Sequence, residues 1–398
     1  MLTVVFDDAR SAEFYPLTLT RASGDLRCGV LKLRQRLEAC FPSEAETAVI
    51  IAPRLQQLYA ERHPDWLLHR FPENTEKLYL NSLLRIDQEL ISQITALPSE
   101  SSLLHEGQLL AAKTKKNFSD NLAQHLTPIN TDKTLYNNIS DLIHDNARMI
   151  RWDFEHYFYD KDNSFETEPG VTVQNPYDVW IGEDVNLAPG VVIDASSGPV
   201  ILDEGCRVMA NAVLVGPLYI GKKSLIKIGA KIYGGTSIGP VCKIGGEVED
   251  SIIQAYSNKQ HDGFLGHAYL GEWINLGADT NNSDLKNTYM NVEYYSYPKK
   301  KKTDSGSQFL GCIIGDHSKT GINCSINTGT VIGVGCNLWG SNLIMDFIPD
   351  FSWGMAGELK PYRTDAFCYT AALVKERRQL GFSPAEKALY TQIANLEY

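Results

Sequence analysis

From Leu202 onward an aliphatic residue returns at every sixth position: Leu202, Val208, Leu214, Ile220, Ile226, Ile232, Ile238 and Ile244. Two residues before each stands a second column, mostly of smaller residues: Val200, Cys206, Ala212, Leu218, Ser224, Ala230, Thr236 and Cys242. An earlier block, Ile181, Leu187 and Ile193, keeps the same period, and three extra residues around SSGP separate the two blocks. The period returns at Leu270 and Leu276, then at Ile314, Ile326, Ile332, Leu338 and Ile344, with Thr320 as the exception. A helix cannot hold a six-residue period on one face, because its turn is about 3.6 residues. Short strands that turn a corner every six residues can hold it. Three of them make a triangular coil with the aliphatic column inside. Each coil buries its edges only against the next, so many must stack. The small column suits a narrow interior, where bulk would overpack.

The flanks lack this period. LTVVFDD and TAVIIAP read as buried strands, with a helix in GVLKLRQRLEACF between them, an α/β alternation. Residues 134–158 have helical spacing and link this part to the solenoid. Near the end, Ser383 and Glu386 form a capping box with Pro384 at the first helical position, which predicts a terminal helix. Residues 283–309 interrupt the repeat with alternating aromatic and polar positions and predict a protruding hairpin. Its lysine run, Lys299 to Lys302, is either a solvated turn or an attractor for cofactor phosphates. The expected domains are 1–150 with a helical linker to about 165, the solenoid at 166–350, and an extension at 351–398.

Composition narrows the function classes. A net charge of −11 argues against nucleic acid or an anionic membrane as the main partner. No apolar run reaches the roughly 18 residues of a membrane span. MLTVVFDDAR puts two aspartates where a signal peptide needs apolar residues, so a cytoplasmic enzyme is the default expectation. None of the eight cysteines forms a CxxC pair. Cys206, Cys242, Cys312, Cys324 and Cys336 all stand two residues before a column position and read as small buried hydrophobes.

The units IGED, IGKK and IGPV resemble the hexapeptide-repeat family, which implies a left-handed parallel β-helix. The segment GHAYLGEWINLGADT is similar to the acetyltransferase domain of the bifunctional N-acetylglucosamine-1-phosphate uridyltransferase/glucosamine-1-phosphate N-acetyltransferase family. The alternative bacterial branch of that family, grouped as sugar nucleotidyltransferases, resembles nearly the whole chain. That resemblance rests on PLTLTRASGDLRCGVLKLR, IGPVCKIGGEVEDS, GHAYLGEWINLGADTNNSDLKN, GDHSKTGINCSINTGTVIG and FSWG. It implies an acetyl-CoA-dependent N-acetyltransferase acting on an amino sugar phosphate, assembled as a homotrimer with active sites between subunits. His267 would be the general base. Tyr269, Asn275, Asn282 and Lys286 would line the sugar-phosphate and acetyl sites, and the backbone N–H of Ala278 would meet the thioester of acetyl-CoA. The chemistry is coherent: an imidazole takes a proton from an attacking amine near neutral pH, an N–H stabilises the oxyanion, and a lysine binds phosphate. Two departures from the family pattern stand out. The histidine is two residues before the tyrosine rather than three, and GADT replaces GAGT. A one-residue shift in a strand reverses side-chain direction, which keeps His261 and His317 as reserve bases.

The first domain resembles sugar-nucleotide pyrophosphorylases less closely. Where those have a glycine-rich phosphate loop, this chain has DDARSAEFYPLTLTR, and no glycine precedes Gly24. Asp7 and Asp8 are candidates for a Mg²⁺ site, and Arg10, Arg21 and Arg27 for nucleotide phosphates; ordinary ion pairs at the sheet edge are the competing assignment. Two further functions stay open: sugar-1-phosphate nucleotidyl transfer alone, and a non-catalytic solenoid scaffold or sensor.

Overall fold

The computed structural model describes residues 1–43, 47–163 and 169–396. The boundary expected at 165/166 lies outside the described residues. The chain is an α/β N-terminal domain, then a left-handed parallel β-helix, then C-terminal helices.

The first domain is a seven-stranded sheet of β1 (Leu2–Phe6), β2 (Ala48–Ile50), β3 (Leu67–Leu68), β4 (Lys77–Asn81), β5 (Ser101–His105), β6 (Gln108–Thr114) and β7 (Thr127–Asn130), in the order β3-β2-β1-β4-β6-β5-β7. β1 is parallel to both β2 and β4, and every residue of LTVVF is buried. A strand covered on both faces needs such an unbroken apolar run. Three helices, α1 (Leu33–Cys40), α2 (Gln56–Arg62) and α3 (Gln88–Thr95), accompany the sheet. The long α4 (Ile139–Tyr157) follows, where Asn138 caps the first turn by accepting from the Asp141 N–H at 3.0 Å.

The β-helix has three faces. Nine strands stack on the first, from Val179–Ile181 through Tyr269–Glu272 to Phe347–Ile348. The second runs from Asn186–Leu187 to Asn258–Lys259 and resumes at Lys319–Thr320, while the third runs from Thr172–Gln174 to Phe264–Gly266. The repeating aliphatics form one interior, with Leu202, Leu214, Ile220, Ile226, Ile238 and Ile244 fully shielded. The five cysteines of the small column are buried there as free thiols. Burial pushes the Cys206, Cys242, Cys312 and Cys336 thiols up to about 12, which keeps them protonated and inert. Thr320, the break in the series, also points inward; its hydroxyl meets that of Thr280 at 2.9 Å and accepts from the Gly277 N–H. The last coil runs past residue 350, because Ser352–Met355 pairs in parallel with Asn337–Leu338 and then folds back against Glu358–Pro361. The extension carries two helices rather than one, α5 (Thr364–Glu376) and α6 (Pro384–Ala394), the second with the expected Ser383–Glu386 capping box.

The N-terminal domain lies flat on the first face. Middle residues of that face point outward, yet Trp180, Ile201, Tyr219, Ile252, Tyr269, Ile313 and Val331 are all buried. Ile252, Tyr269, Ile313 and Val331 belong to the same hydrophobic cluster as the N-terminal domain's core. Polar anchors fix the register. Arg21 pairs closely with Asp316, whose carboxylate also accepts from Thr20 Oγ1 at 2.8 Å. The Tyr269 hydroxyl accepts from the Arg27 N–H at 2.9 Å and donates to the Arg27 carbonyl at 2.8 Å. Ser237 donates to the Gly29 carbonyl, and Asn146 of α4 donates to the Gly235 carbonyl. Arg36 and Asp153 form a buried pair that fastens α1 to α4.

The hairpin expected to protrude does not. Glu293–Ser296 and Lys301–Asp304 pair antiparallel, but Val292, Tyr294 and Tyr297 are buried in the shared core, and Tyr295 stacks on Phe347 at 3.9 Å. Alternating aromatics on a hairpin supply one apolar face, and here the molecule covers it. Of the lysine run, Lys302 pairs with Asp346 at 2.6 Å and Lys299 lies 3.8 Å from Glu13, so both serve local contacts.

Tyr269→Phe orphans a donor and an acceptor on the buried Arg27 backbone. It is expected to lower unfolding stability by about 1–3 kcal/mol. Denaturant titration of the two proteins checks this, and an unchanged midpoint would contradict the anchoring role.

Candidate active site

His267 occupies the corner between Phe264–Gly266 on the third face and Tyr269–Glu272 on the first, with φ of 44°. Its neighbours come from the coils on either side. Asp250 holds the equivalent corner one coil earlier, also at positive φ, and its Oδ2 lies 3.7 Å from Nε2. From the next coil Asp284 approaches, with Oδ2 2.9 Å from Nδ1. A hydrogen bond from Nδ1–H to a carboxylate fixes the tautomer and leaves Nε2 with the lone pair. The Phe309 ring stacks on the imidazole at 4.9 Å, and His144 of α4 lies 5.8 Å away with its Nε2 against the Phe309 carbonyl at 3.0 Å. The His267 side chain is 13% exposed, so it is neither sealed in the prism nor free in solvent.

Charge around this corner is one-sided. Glu249, Asp250 and Asp284 surround the imidazole. Burial, reinforced by Asp284 and Asp250, raises the Glu249 carboxyl above its usual range. Burial likewise raises Asp250, with His267 opposing the shift. Burial and then the nearby His267 hold His144 below the ordinary imidazole value. Such a corner favours a cation, and an ammonium is the simplest one. Ligand atoms of Glu249, His267 and Asp284 lie within 4.8 Å of one another, a set that could also ligate a divalent ion.

The coil ladder is spliced at this level by side chains. Asn281 Oδ1 accepts from the Phe264 N–H at 2.8 Å, and Asn282 accepts from the Gly266 N–H and donates to the Gly266 carbonyl, both at 2.9 Å. These amides replace strand pairing and set Asp284 opposite the histidine. Asn282 is therefore 5% exposed with both ends of its amide engaged, and it does not line a substrate site. Tyr269 is corrected too: its buried hydroxyl belongs to the domain interface. Asn275 stands on the second face, bridged to Asn258 and Lys319, and is not brought to His267. Ala278 lies at the corner between second and third faces, its carbonyl accepting from the Asn323 N–H. Lys286 leaves the coil at the base of the insertion, its ammonium on the Asn291 carbonyl at 2.8 Å. Of the reserve bases, His261 is exposed, and His317 is buried among Trp273, Phe367 and Tyr390 with neither ring nitrogen hydrogen-bonded. Burial and surrounding cations depress His317 strongly, which leaves it a neutral core ring. Asp284, Asp250 and His144 were not anticipated. The first two lie seventeen residues on either side of His267, a coil spacing visible in the sequence.

In the N-terminal domain, Asp7 and Asp8 follow β1 at the carboxyl edge of the sheet and line a cleft of about 570 Å³ whose basic lining residue is Arg54, while Arg10 follows them in the chain. The strand order reverses between β1 and β4, where open α/β sheets bind ligands. Asp7 accepts from the Ser23 N–H and the Ser82 hydroxyl; Asp8 accepts from the Arg10 N–H and Asn81 Nδ2. All four carboxylate oxygens thus carry a protein donor, which leaves less to offer Mg²⁺. Burial lifts the Asp7 carboxyl to about 6. Arg10 remains at this edge, with a buried Nη1 that meets no acceptor among the described residues. Arg21 and Arg27 do not. Arg21 is consumed by Asp316, and Arg27 donates to the Val30 carbonyl and lies over the Tyr219 ring at 5.2 Å, so neither reaches a nucleotide site.

The fold and these two loci define a two-domain protein: an α/β sheet with a cleft at its carboxyl edge joined to a hexapeptide solenoid with a histidine–carboxylate pair. Residues 3–161, about two fifths of the chain, match the family model described as sugar nucleotidyl transferase. The "Bifunctional protein GlmU" of Synechococcus elongatus is 28% identical over 207 residues, which are 47% of this chain and 42% of that one. The protein of the same name from Gloeothece citriformis is 27% identical over 308 residues, 77% of this chain and 57% of that one. A "Bifunctional sugar-1-phosphate nucleotidylyltransferase/acetyltransferase" of Sulfurisphaera tokodaii is 37% identical over 93 residues, 23% of each chain. The chain spans about half the length of the curated relatives it matches first. Among solved structures, the UDP-N-acetylglucosamine acyltransferase of Francisella novicida overlaps 56% of this chain and 73% of its own at 15% identity, with a TM-score of 0.30. That overlap is loose, and the architecture rests on this chain's own strand pairing.

Asp7 yields a pH test. Its folded-state value of about 6 lies above the roughly 4 of an unfolded aspartate, so the folded state binds the extra proton and stability falls as pH rises between the two. Asp7→Asn removes this slope. The gap between the melting curves of wild type and variant should open across about pH 4 to 6 and stay constant above it; parallel curves throughout would refute the shift.

Proposed function

We propose that the solenoid is an acetyl-CoA-dependent N-acetyltransferase for an amino sugar phosphate such as glucosamine 1-phosphate, in sugar-nucleotide biosynthesis. The observation that carries this is the 2.9 Å contact between His267 Nδ1 and Asp284 at a half-buried corner ringed by carboxylates. The carboxylates of Glu249 and Asp250 draw in the substrate as its ammonium. One of these carboxylates, or water, takes the first proton to free the amine lone pair; His267 Nε2 takes the second as the amine attacks the thioester carbon and then passes it to the departing sulfur, while Asp284 orients the ring and stabilises the imidazolium. The C–S bond breaks as the amide forms, and CoA leaves as its thiol. The same carboxylates repel the sugar's phosphate, which must lie away from the imidazole, toward Lys286. One copy holds Ala278 a full face away from His267, so an oxyanion role for its N–H requires the homotrimer in which sites form between copies.

The family match of residues 3–161 favours a second activity, nucleotidyl transfer to a sugar 1-phosphate at the cleft lined by Asp7 and Asp8, with Arg10 next to them in the chain. The chain there folds as a 3₁₀ helix, Ala9–Phe14, with no glycine to let backbone approach phosphates. Arg10 then serves as the phosphate-binding group; Asp7 and Asp8 are the residues that would hold Mg²⁺, which would neutralise triphosphate charge.

With glucosamine 1-phosphate and acetyl-CoA, His267→Ala is expected to lower kcat by roughly a hundredfold or more, and Asp284→Asn by about tenfold or more. A chelator should leave the rate unchanged, because an imidazole bound to metal cannot act as the base. An undiminished rate in His267→Ala removes the proposal. Pyrophosphate release from UTP and N-acetylglucosamine 1-phosphate, lost in Arg10→Ala, tests the second activity.

A further inference from the structure

On the second face, opposite the corner that carries His267, the coil wall and α5 enclose a cavity of about 270 Å³. Lys243 and Lys319 enter it from the coils, Arg377 and Arg378 from the end of α5, and Asn258 and Asn275 from the coil wall between the two lysines. No aspartate or glutamate lines it. Arg378 spends one nitrogen on Asn258 Oδ1 at 3.2 Å, and the Lys319 ammonium donates to the His317 carbonyl at 2.8 Å, both neutral acceptors. A helix C-terminus accounts for cations on α5 itself. It does not account for two lysines on the facing wall. Burial, and for Lys243 also Arg378, Arg377 and Lys227, pull both ammonium groups down, Lys319 to about 8. Four cations thus line a partly enclosed space and form no salt bridge among the described residues, an arrangement that an anionic ligand would relieve.

We propose that this cavity binds the diphosphate of a small nucleotide-like ligand. The space is too confined for a nucleic acid strand, and a chain of net charge −11 repels one. Two arginine forks and two ammonium groups match the two to three negative charges of a substituted diphosphate better than a single carboxylate. Sugar nucleotides and coenzyme A share that group. Once bound, it bridges the coil wall and α5, and so ties the C-terminal extension to the solenoid. The site is separate from the His267 corner, and it stands or falls independently of acetyl transfer.

The test is calorimetric titration of the full chain with pyrophosphate, UDP-N-acetylglucosamine and coenzyme A in parallel, on wild type, Lys319→Met and Arg378→Glu. Circular dichroism and melting confirm that each variant is folded, and Arg378→Glu, half-buried at the helix end, guards against loss of fold in the other. Wild type should bind pyrophosphate and at least one of the larger ligands, with affinity falling as salt rises. Each variant should lose at least about tenfold in affinity, equivalent to ~1.4 kcal/mol. The larger ligand whose affinity falls in the variants is the one that uses this site. Absence of pyrophosphate binding in wild type, or unchanged affinity in both folded variants, overturns the proposal.

Discussion

Every coil of the solenoid can bury its backbone edges only against the coils before and after it. That constraint governs the rest of the molecule. It forces a fixed repeat length, fills the interior with one aliphatic column and one small column, and lines up corners from coil to coil. Side chains seventeen residues apart therefore become neighbours, as in Asp250, His267 and Asp284. The cluster at this corner exists because the stack brings three successive coils into register. Where the strand ladder lapses, asparagine amides keep that register by bonding to the Phe264 and Gly266 backbone.

The second determinant is a covered face. A parallel β-helix presents three flat surfaces, and here one is closed by the N-terminal domain through Tyr269, Ser237 and Asp316. Residues of the segment TRASGDLRCGVLKLR that suggest phosphate binding on charge alone are largely spent inside the protein. Arg21 and Arg27 are buried, and Arg34 is held by Asp25 and Glu38. A buried guanidinium with a carboxylate or carbonyl partner cannot also hold a nucleotide. Of the three arginines expected at a nucleotide site, this leaves Arg10 near the sheet edge, where the cleft itself is lined by Arg54.

Much of the fold was legible in the sequence, because a six-residue aliphatic period admits few architectures and the capping box at Ser383 is local. The motif around His267 drew attention to the corner where the structure gathers Asp250 and Asp284. Asp250 and Asp284 were within reach of coil arithmetic, since both stand one coil from the histidine. So was the docking face: Trp180, Ile201, Tyr219 and Ile252 are apolar at outward positions where the second face has Arg207 and Lys243. His144 was not legible, because it arrives from α4 through tertiary packing that no local pattern encodes. Tyr269 and Asn282 misled for one reason. Polar residues close in sequence to His267 look like ligand contacts, and only three dimensions show that their hydrogen bonds are already made within the protein. The hairpin misled similarly, since alternating aromatics do not reveal what they will pack against.

The central claim is that an imidazole fixed by Asp284 presents Nε2 to an incoming amine. Nitrogen-15 NMR of the histidine side chains, assigned through His267→Gln and recorded with and without glucosamine 1-phosphate, tests it most directly. The dyad predicts a protonated Nδ1 and a bare Nε2 for the neutral ring, with the Nε2 resonance moving as the amino sugar is added and Asp284→Asn scrambling the tautomer. A ring protonated on Nε2, or one whose two resonances ignore the amino sugar at saturating concentration, would contradict it.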